Sequence, residues 1–183
     1  MRLAILTITM MSALCFGKGA SKKEPLPEQL QGTIPEFQVL TIENEPGLSS
    51  EDLKEKAQKA GTKRIVLSFF ATWCVNCKEE FKLLSKKTKE LEKNGVQVYL
   101  IDTGESIHKM GDKVSKMVKE NAGSSFPFYF DPNGNLLKKS GLVKEDGTFN
   151  LPITVILDAD LRVLGVLSAV SKDDYPQILW GEL

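Results

Sequence analysis

Apolar positions along the chain switch between strand-like runs and helix-like stripes. Phe37, Val39 and Ile42 predict a short strand that ends in a turn at Asn44-Glu45-Pro46-Gly47. Ser49 or Ser50, followed by Asp52 and Leu53, reads as a helix start, and that helix runs to about Ala60 with Gly61 closing it. Residues 64–70, RIVLSFF, are almost continuously β-branched or aromatic, as expected of a central strand covered on both faces. From residue 77 to 93, Phe81, Leu84, Thr88 and Leu91 form one stripe among lysines, which predicts an amphipathic helix stopped by Asn94-Gly95. A second buried strand follows at 96–101. A second crossover helix is expected over 106–120, with Ile107, Met110, Val114, Met117 and Val118 at helical spacing. Residues 126–130 are strand-like despite Pro127, and Asp131-Pro132-Asn133-Gly134 is a strong turn signal. Residues 153–157 and 162–167 read as two strands joined through Asp158-Ala159-Asp160 as a hairpin, and a short helix is expected from Ser171 or Asp174 to Glu182. Strand and helix in alternation, then a hairpin and a helix, give an α/β fold whose central mixed sheet has helices on both faces.

The first 33 residues do not share this pattern. Met1 and Arg2 precede an uncharged, mostly apolar run from Leu3 to Phe16, and Gly17, Lys18, Gly19 and Ala20 follow it. The run is shorter than the roughly 20 residues a helix needs to cross a bilayer core. Its order is that of a secretory signal, so residues 1–17 are expected to be a cleaved export signal and 18–33, with Pro25 and Pro27, a mobile linker into a domain at 34–183. The competing reading makes Cys15 a lipid-anchored first residue, against which Leu14 stands where a small residue is the norm. Either reading takes the protein out of the cytoplasm, to a periplasmic or other extracytoplasmic location.

Charge and composition narrow the function. The 24 Lys plus Arg balance 24 Asp plus Glu, with no basic cluster to follow a phosphate backbone, so nucleic acid is not an expected partner. One histidine and three cysteines leave no complete metal site, and no metal or cofactor is expected. His108 falls on the polar side of its helix and reads as a solvated residue. Removal of the export signal takes Cys15 with it and leaves one pair, Cys74 and Cys77, in a compartment that oxidises thiols.

That pair lies in Ala71-Thr72-Trp73-Cys74-Val75-Asn76-Cys77-Lys78, between the central strand and the first amphipathic helix. Two cysteines three apart at a helix start sit one turn from each other on one side, close enough to pair. The unsatisfied N–H groups and dipole of that end favour a thiolate at Cys74, the expected nucleophile, with Cys77 deeper as the resolving thiol. Half a zinc site would need two more ligands, and a purely structural disulfide would close only a very small loop.

The segment ATWCVNCKEEF resembles the active-site segment of thioredoxin-like proteins, particularly exported TlpA/ResA-like thiol-disulfide oxidoreductases. The resemblance runs from about Ile34 to the C-terminus through Pro35-Glu36-Phe37, FPFYFDPNGNLLKKSGL and LPITVILDADLRVLG. It implies a thioredoxin fold with an N-terminal extension, and a cis-proline at Pro152 facing the cysteines, so that the Leu151 backbone is open to an extended substrate strand. Trp73 is expected to pack beside the pair and shield it. Three positions depart from the pattern. Val75-Asn76 replaces the usual dipeptide, Lys82 stands where such helices commonly carry a kinking proline, and Ser68 stands where thioredoxin has a buried aspartate. Another proton acceptor for Cys77 is then needed, and Glu80 matches a glutamate common in the TlpA/ResA-like group; the competing reading leaves Glu79 and Glu80 as solvated first-turn carboxylates. Ala71 stands in place of the threonine of a peroxidatic Thr-x-x-Cys signature. The resemblance implies a reductase of exported thiol or disulfide proteins, of the cytochrome c maturation type, supplied with electrons by a membrane donor. A disulfide-forming or isomerising oxidoreductase, and a non-enzymatic peptide-binding module, are the alternatives.

Overall fold

A computed structural model describes residues 26–168. Seven strands form one mixed sheet. They are β1 (Gln38–Leu40), β2 (Pro46–Ser49), β3 (Arg64–Phe70), β4 (Val96–Thr103), β5 (Phe128–Asp131), β6 (Ile153–Leu157) and β7 (Val163–Ser168), in the spatial order β2-β1-β5-β4-β3-β6-β7. The helices are α1 (Ser50–Lys59), α2 (Val75–Lys86), α3 (Thr88–Lys93), α4 (Ile107–Asn121) and α5 (Asn135–Lys139). β3 lies between β4, to which it is parallel, and β6, to which it is antiparallel.

The central position of β3 explains its unbroken apolar run. Alternate residues point to opposite faces, and both faces are covered. Ile65, Leu67 and Phe69 join Tyr99, Ile101, Val155 and Leu157 under α1 and α5, where Leu53, Ala57, Leu136 and Leu137 are buried. Val66 and Phe70 join Val98, Leu100 and Ile156 on the other face, beneath Phe81 and Leu84 of α2 and Val114 and Val118 of α4. Phe70 and Phe81 meet edge to face with centroids 4.9 Å apart, so the aromatic end of the strand locks the first helix above it.

The expected elements are present with differences that have local causes. The helix expected over 77–93 is two helices, because Lys87 leaves helical geometry (φ −107°, ψ 6°) and the Thr88 hydroxyl donates to the Ser85 carbonyl at 2.8 Å, competing with the backbone ladder. β5 begins at Phe128, after the proline. Pro46 and Gly47, read as part of a turn, belong to β2, and the turn is carried by Asn44 at φ 64°. The 131–134 turn feeds directly into α5, which the pattern had not marked, through left-handed Asn133 and Gly134. The β6–β7 hairpin is longer than its three expected loop residues: Asp158 accepts from the N–H groups of Asp160 and Arg162, both at 2.9 Å, and Leu161 takes a positive φ. The end of the expected linker is folded onto the domain: Leu30 is fully buried in a 3-10 turn, and Thr33 bridges to Arg162. The expected export signal, the first part of the expected linker and the helix expected from Ser171 or Asp174 lie outside the described residues. Among the described residues no helix is long and apolar enough to cross a membrane.

Candidate active site

β3 delivers the chain to one end of the sheet at Phe70, and a turn closed by Cys74 N–H to the Ala71 carbonyl (3.0 Å) redirects it into α2. Cys74 is the N-cap of α2, in extended geometry, and its Sγ accepts the Cys77 N–H at 3.1 Å. One of the unsatisfied donors of the helix start is thus spent on sulfur, the arrangement that would stabilise a thiolate there. Cys74 and Cys77 form a disulfide with their Cα atoms 5.4 Å apart. Cys74 is 4% exposed and Cys77 fully buried, in the order expected for an attacking and a resolving sulfur.

Glu80 lies one turn beyond Cys77 on the same side of α2 and is 2% exposed, so it is not a solvated first-turn carboxylate. Glu79 is the exposed member of the pair and bridges Lys82. Beneath Glu80, Ser68 of β3 and Thr154 of β6 are partners across the antiparallel ladder and face α2 together. Both hydroxyls donate to Glu80 Oε1, Thr154 at 2.8 Å and Ser68 at 3.1 Å. Burial pushes the Glu80 carboxyl up to about 7, and the two hydroxyls hold it back from going higher. A buried carboxyl that is half ionised near neutral pH is suited to take and return a proton.

The Leu151–Pro152 peptide bond is cis. It immediately precedes β6, whose Ile153 pairs with Phe69, so it lies at the end of the sheet where β3 gives way to the cysteine segment. Pro152 is buried and Leu151 half-buried. Trp73 does not shield the disulfide: it is 62% exposed, and Val75 beyond Cys74 is 70% exposed. The turn from strand to helix tucks Ala71 and Cys74 inward and leaves these two apolar side chains in solvent on either side of the nucleophile position. His108 is exposed on α4, as expected. Among the described residues no cluster of three or more potential metal ligands occurs.

Several groups at this end of the sheet escaped the sequence reading. Thr154 carried no signal apart from its place next to the proline. Glu105, in the loop between β4 and α4, accepts both the N–H and the hydroxyl of Thr72, at 2.6 and 2.7 Å. Asp102, on β4, is fully buried behind it.

The comparisons agree with this geometry. The AhpC/TSA family model matches residues 31–165. Thiol-disulfide oxidoreductase ResA of Bacillus cereus is 24% identical over 144 residues, which are 79% of this chain and 71% of that protein. ResA of Bacillus subtilis is 26% identical over 138 residues, 74% of this chain and 65% of the relative, so the chain spans about two thirds of the length of these relatives. A thioredoxin-like protein from Aeropyrum pernix superposes with a TM-score of 0.60 at 20% identity, covering 79% of this chain and 88% of its own, and carries the same fold. With a disulfide-bonded cysteine pair at the start of α2, a cis-proline at the same end of the sheet and this match over most of its length, the chain belongs to the AhpC/TSA family, as a thioredoxin-like thiol-disulfide oxidoreductase.

Proposed function

We propose that the protein reduces disulfides of exported proteins outside the cytoplasm, with Cys74 as nucleophile, Cys77 as resolving cysteine and Glu80 as the proton acceptor for Cys77. The observation that carries this reading is the buried Glu80 carboxyl, held by Ser68 and Thr154 one turn behind the resolving sulfur, with burial raising it to about 7. In the reduced protein the Cys74 thiolate attacks one sulfur of a substrate disulfide, forming a mixed disulfide and expelling the other substrate sulfur as a thiolate. Glu80 takes the Cys77 proton. The Cys77 thiolate then attacks Cys74 Sγ, closing the Cys74–Cys77 disulfide and releasing the second substrate thiolate, so two electrons pass from protein to substrate. A membrane dithiol donor restores the reduced pair.

Trp73 and Val75 form an apolar rim around the nucleophile, and the backbone at Leu151, ahead of cis Pro152, offers hydrogen bonds to an extended substrate segment. The N-terminal apolar segment of the sequence supports export, and the resemblance of the cysteine segment to TlpA/ResA-like proteins supports a reductive direction and a disulfide of apocytochrome c type as the substrate. The test is insulin reduction by residues 18–183, together with the reduction potential of the pair. Turnover lost in Cys74→Ser and a potential near that of thioredoxin, about −270 mV, are expected. A potential near −120 mV would make the protein an oxidant, and no turnover with both cysteines present would make it a binding module.

A further inference from the structure

Asp102 is placed where a carboxylate should not be. It sits near the end of β4, fully buried, paired with Phe70 of β3 on one side and Phe130 of β5 on the other. No hydroxyl, amide or cationic side chain donates to either of its carboxyl oxygens; the side chain within hydrogen-bonding reach is the Glu105 carboxyl. An ionised carboxylate in such a place is expensive, and a group so placed keeps its proton instead. The charged groups that bear on it make ionisation harder still: Glu105 in the following loop and Asp131 at the end of β5 are both acidic, and its register partner on β3 is the apolar Phe70. His108, in the first turn of α4, is exposed and lines with Glu105 a surface pocket rather than the Asp102 site.

Glu105 lies between Asp102 and the redox segment. One carboxylate oxygen accepts the Thr72 N–H and the other its hydroxyl, which fixes Thr72 in place two residues before Cys74. The fully buried Asp102 carboxyl and the half-buried Glu105 carboxyl are in hydrogen-bonding contact, and two carboxyls so placed stay together only while a proton lies between them; without it they repel.

We propose that Asp102 and Glu105 form a proton-sharing carboxyl pair that positions the Thr72–Cys74 segment, with the Asp102 proton allowing Glu105 to hold Thr72. Glu105 is a positioning residue, since it touches the loop and not the reacting sulfurs. Asp102 is the group whose deprotonation releases the loop. Burial, then Glu105, push the Asp102 carboxyl up to about 9, which locates the release in the alkaline range. The inference leans on the proposed role of Cys74 only for its consequence in catalysis. The loop anchor itself exists with the disulfide closed, so it is tested where no thiol titrates.

The experiment uses the oxidised protein with Trp180→Phe, which leaves Trp73, next to Thr72, as the sole indole. Its fluorescence is followed from pH 7 to 9.8. The expected result is one transition centred near pH 9, lost in Asp102→Asn, where a neutral amide replaces the titrating acid. Glu105→Gln, altered at a half-buried loop position, should also lose the transition and expose Trp73 to quenching by iodide already at pH 7. A protein without a transition in that range, or a transition that persists in a folded Asp102→Asn variant, overturns the proposal. Should Asp102→Asn fail to fold by circular dichroism, Glu105→Gln decides the matter: an unchanged transition there also overturns it. In the reduced protein, Glu105→Gln is expected to shift the pH profile of Cys74 alkylation, a readout that a merely structural role would leave in place; failure of this arm alone, with the fluorescence result intact, would count against the role of Cys74 and not against the anchor.

Discussion

Glu80 is defined by what surrounds it. The sequence shows a glutamate three residues after the second cysteine, which a solvated first turn would explain as well as a buried acid/base. The strands remove the solvated reading: Glu80 is buried, and Ser68 and Thr154, ladder partners on the face beneath α2, both donate to the same carboxylate oxygen. Neither hydroxyl is recognisable from its own residue, because strand pairing brings together positions 86 apart in sequence. Each hydroxyl stabilises the ionised form, so removing one must raise the carboxyl further. Thr154→Val, which keeps the shape and removes the donor, should move the pH midpoint of the resolving step upward from about 7, as read from the pH dependence of mixed-disulfide decay. Glu80→Gln should abolish that ionisation from the profile; an unchanged profile would leave Glu80 without a proton-transfer role. Trp73 teaches the opposite lesson. An indole beside a cysteine pair suggests shielding, but the turn geometry of Ala71–Cys74 turns it outward, and that geometry is not written in local composition.

Elements were legible wherever the period was clean. The RIVLSFF run, the 96–101 strand, the α4 stripe and the final hairpin all appear where their spacing indicated. Boundaries moved where side-chain hydroxyls or prolines intervened, as at Lys87–Thr88 and Pro127, and α5 was hidden because left-handed Asn133 and Gly134 launch a helix from what reads as a terminating turn. The start of α1 is the element feature best specified locally. Ser49 accepts the Asp52 N–H at 3.0 Å, while Asp52 accepts the Ser49 N–H at 3.1 Å, a reciprocal capping box. Ser49→Ala should therefore cost about 1 kcal/mol of stability in denaturant unfolding. Because α1 covers the face of the sheet opposite the disulfide, turnover at a temperature where the variant is folded should stay at the parental rate.

At the scale of the whole molecule, two buried carboxyls on one face of the sheet set a pH dependence of folding. The unfolded chain ionises Glu80 and Asp102 near 4.5 and 3.8, whereas the fold raises them to about 7 and about 9. Between those limits the native state holds more protons than the unfolded state, so stability falls as pH rises. The contribution from Glu80 is full below about 4.5 and lost by about 7; that from Asp102 is full below about 3.8 and lost by about 9. Thermal unfolding of the oxidised protein should show Tm declining from pH 5 to pH 9, and Glu80→Gln combined with Asp102→Asn should flatten that decline. Glu80 points from α2 toward the sheet and Asp102 lies on β4, while the opposite face beneath α1 and α5 is apolar packing around Leu53, Leu67 and Leu136. The proposed chemistry thus falls on one side of a sheet whose other side is apolar packing.

The measurement that reaches furthest into this account is mass spectrometry of the reduced Cys77→Ser protein after mixing with a peptide disulfide. A mixed disulfide at Cys74 that persists without turnover, and that a free thiol reverses, is the predicted result. No adduct at Cys74, or an adduct that accumulates instead at Cys77 in the Cys74→Ser protein, would contradict the assignment of nucleophile and resolving cysteine on which the rest depends.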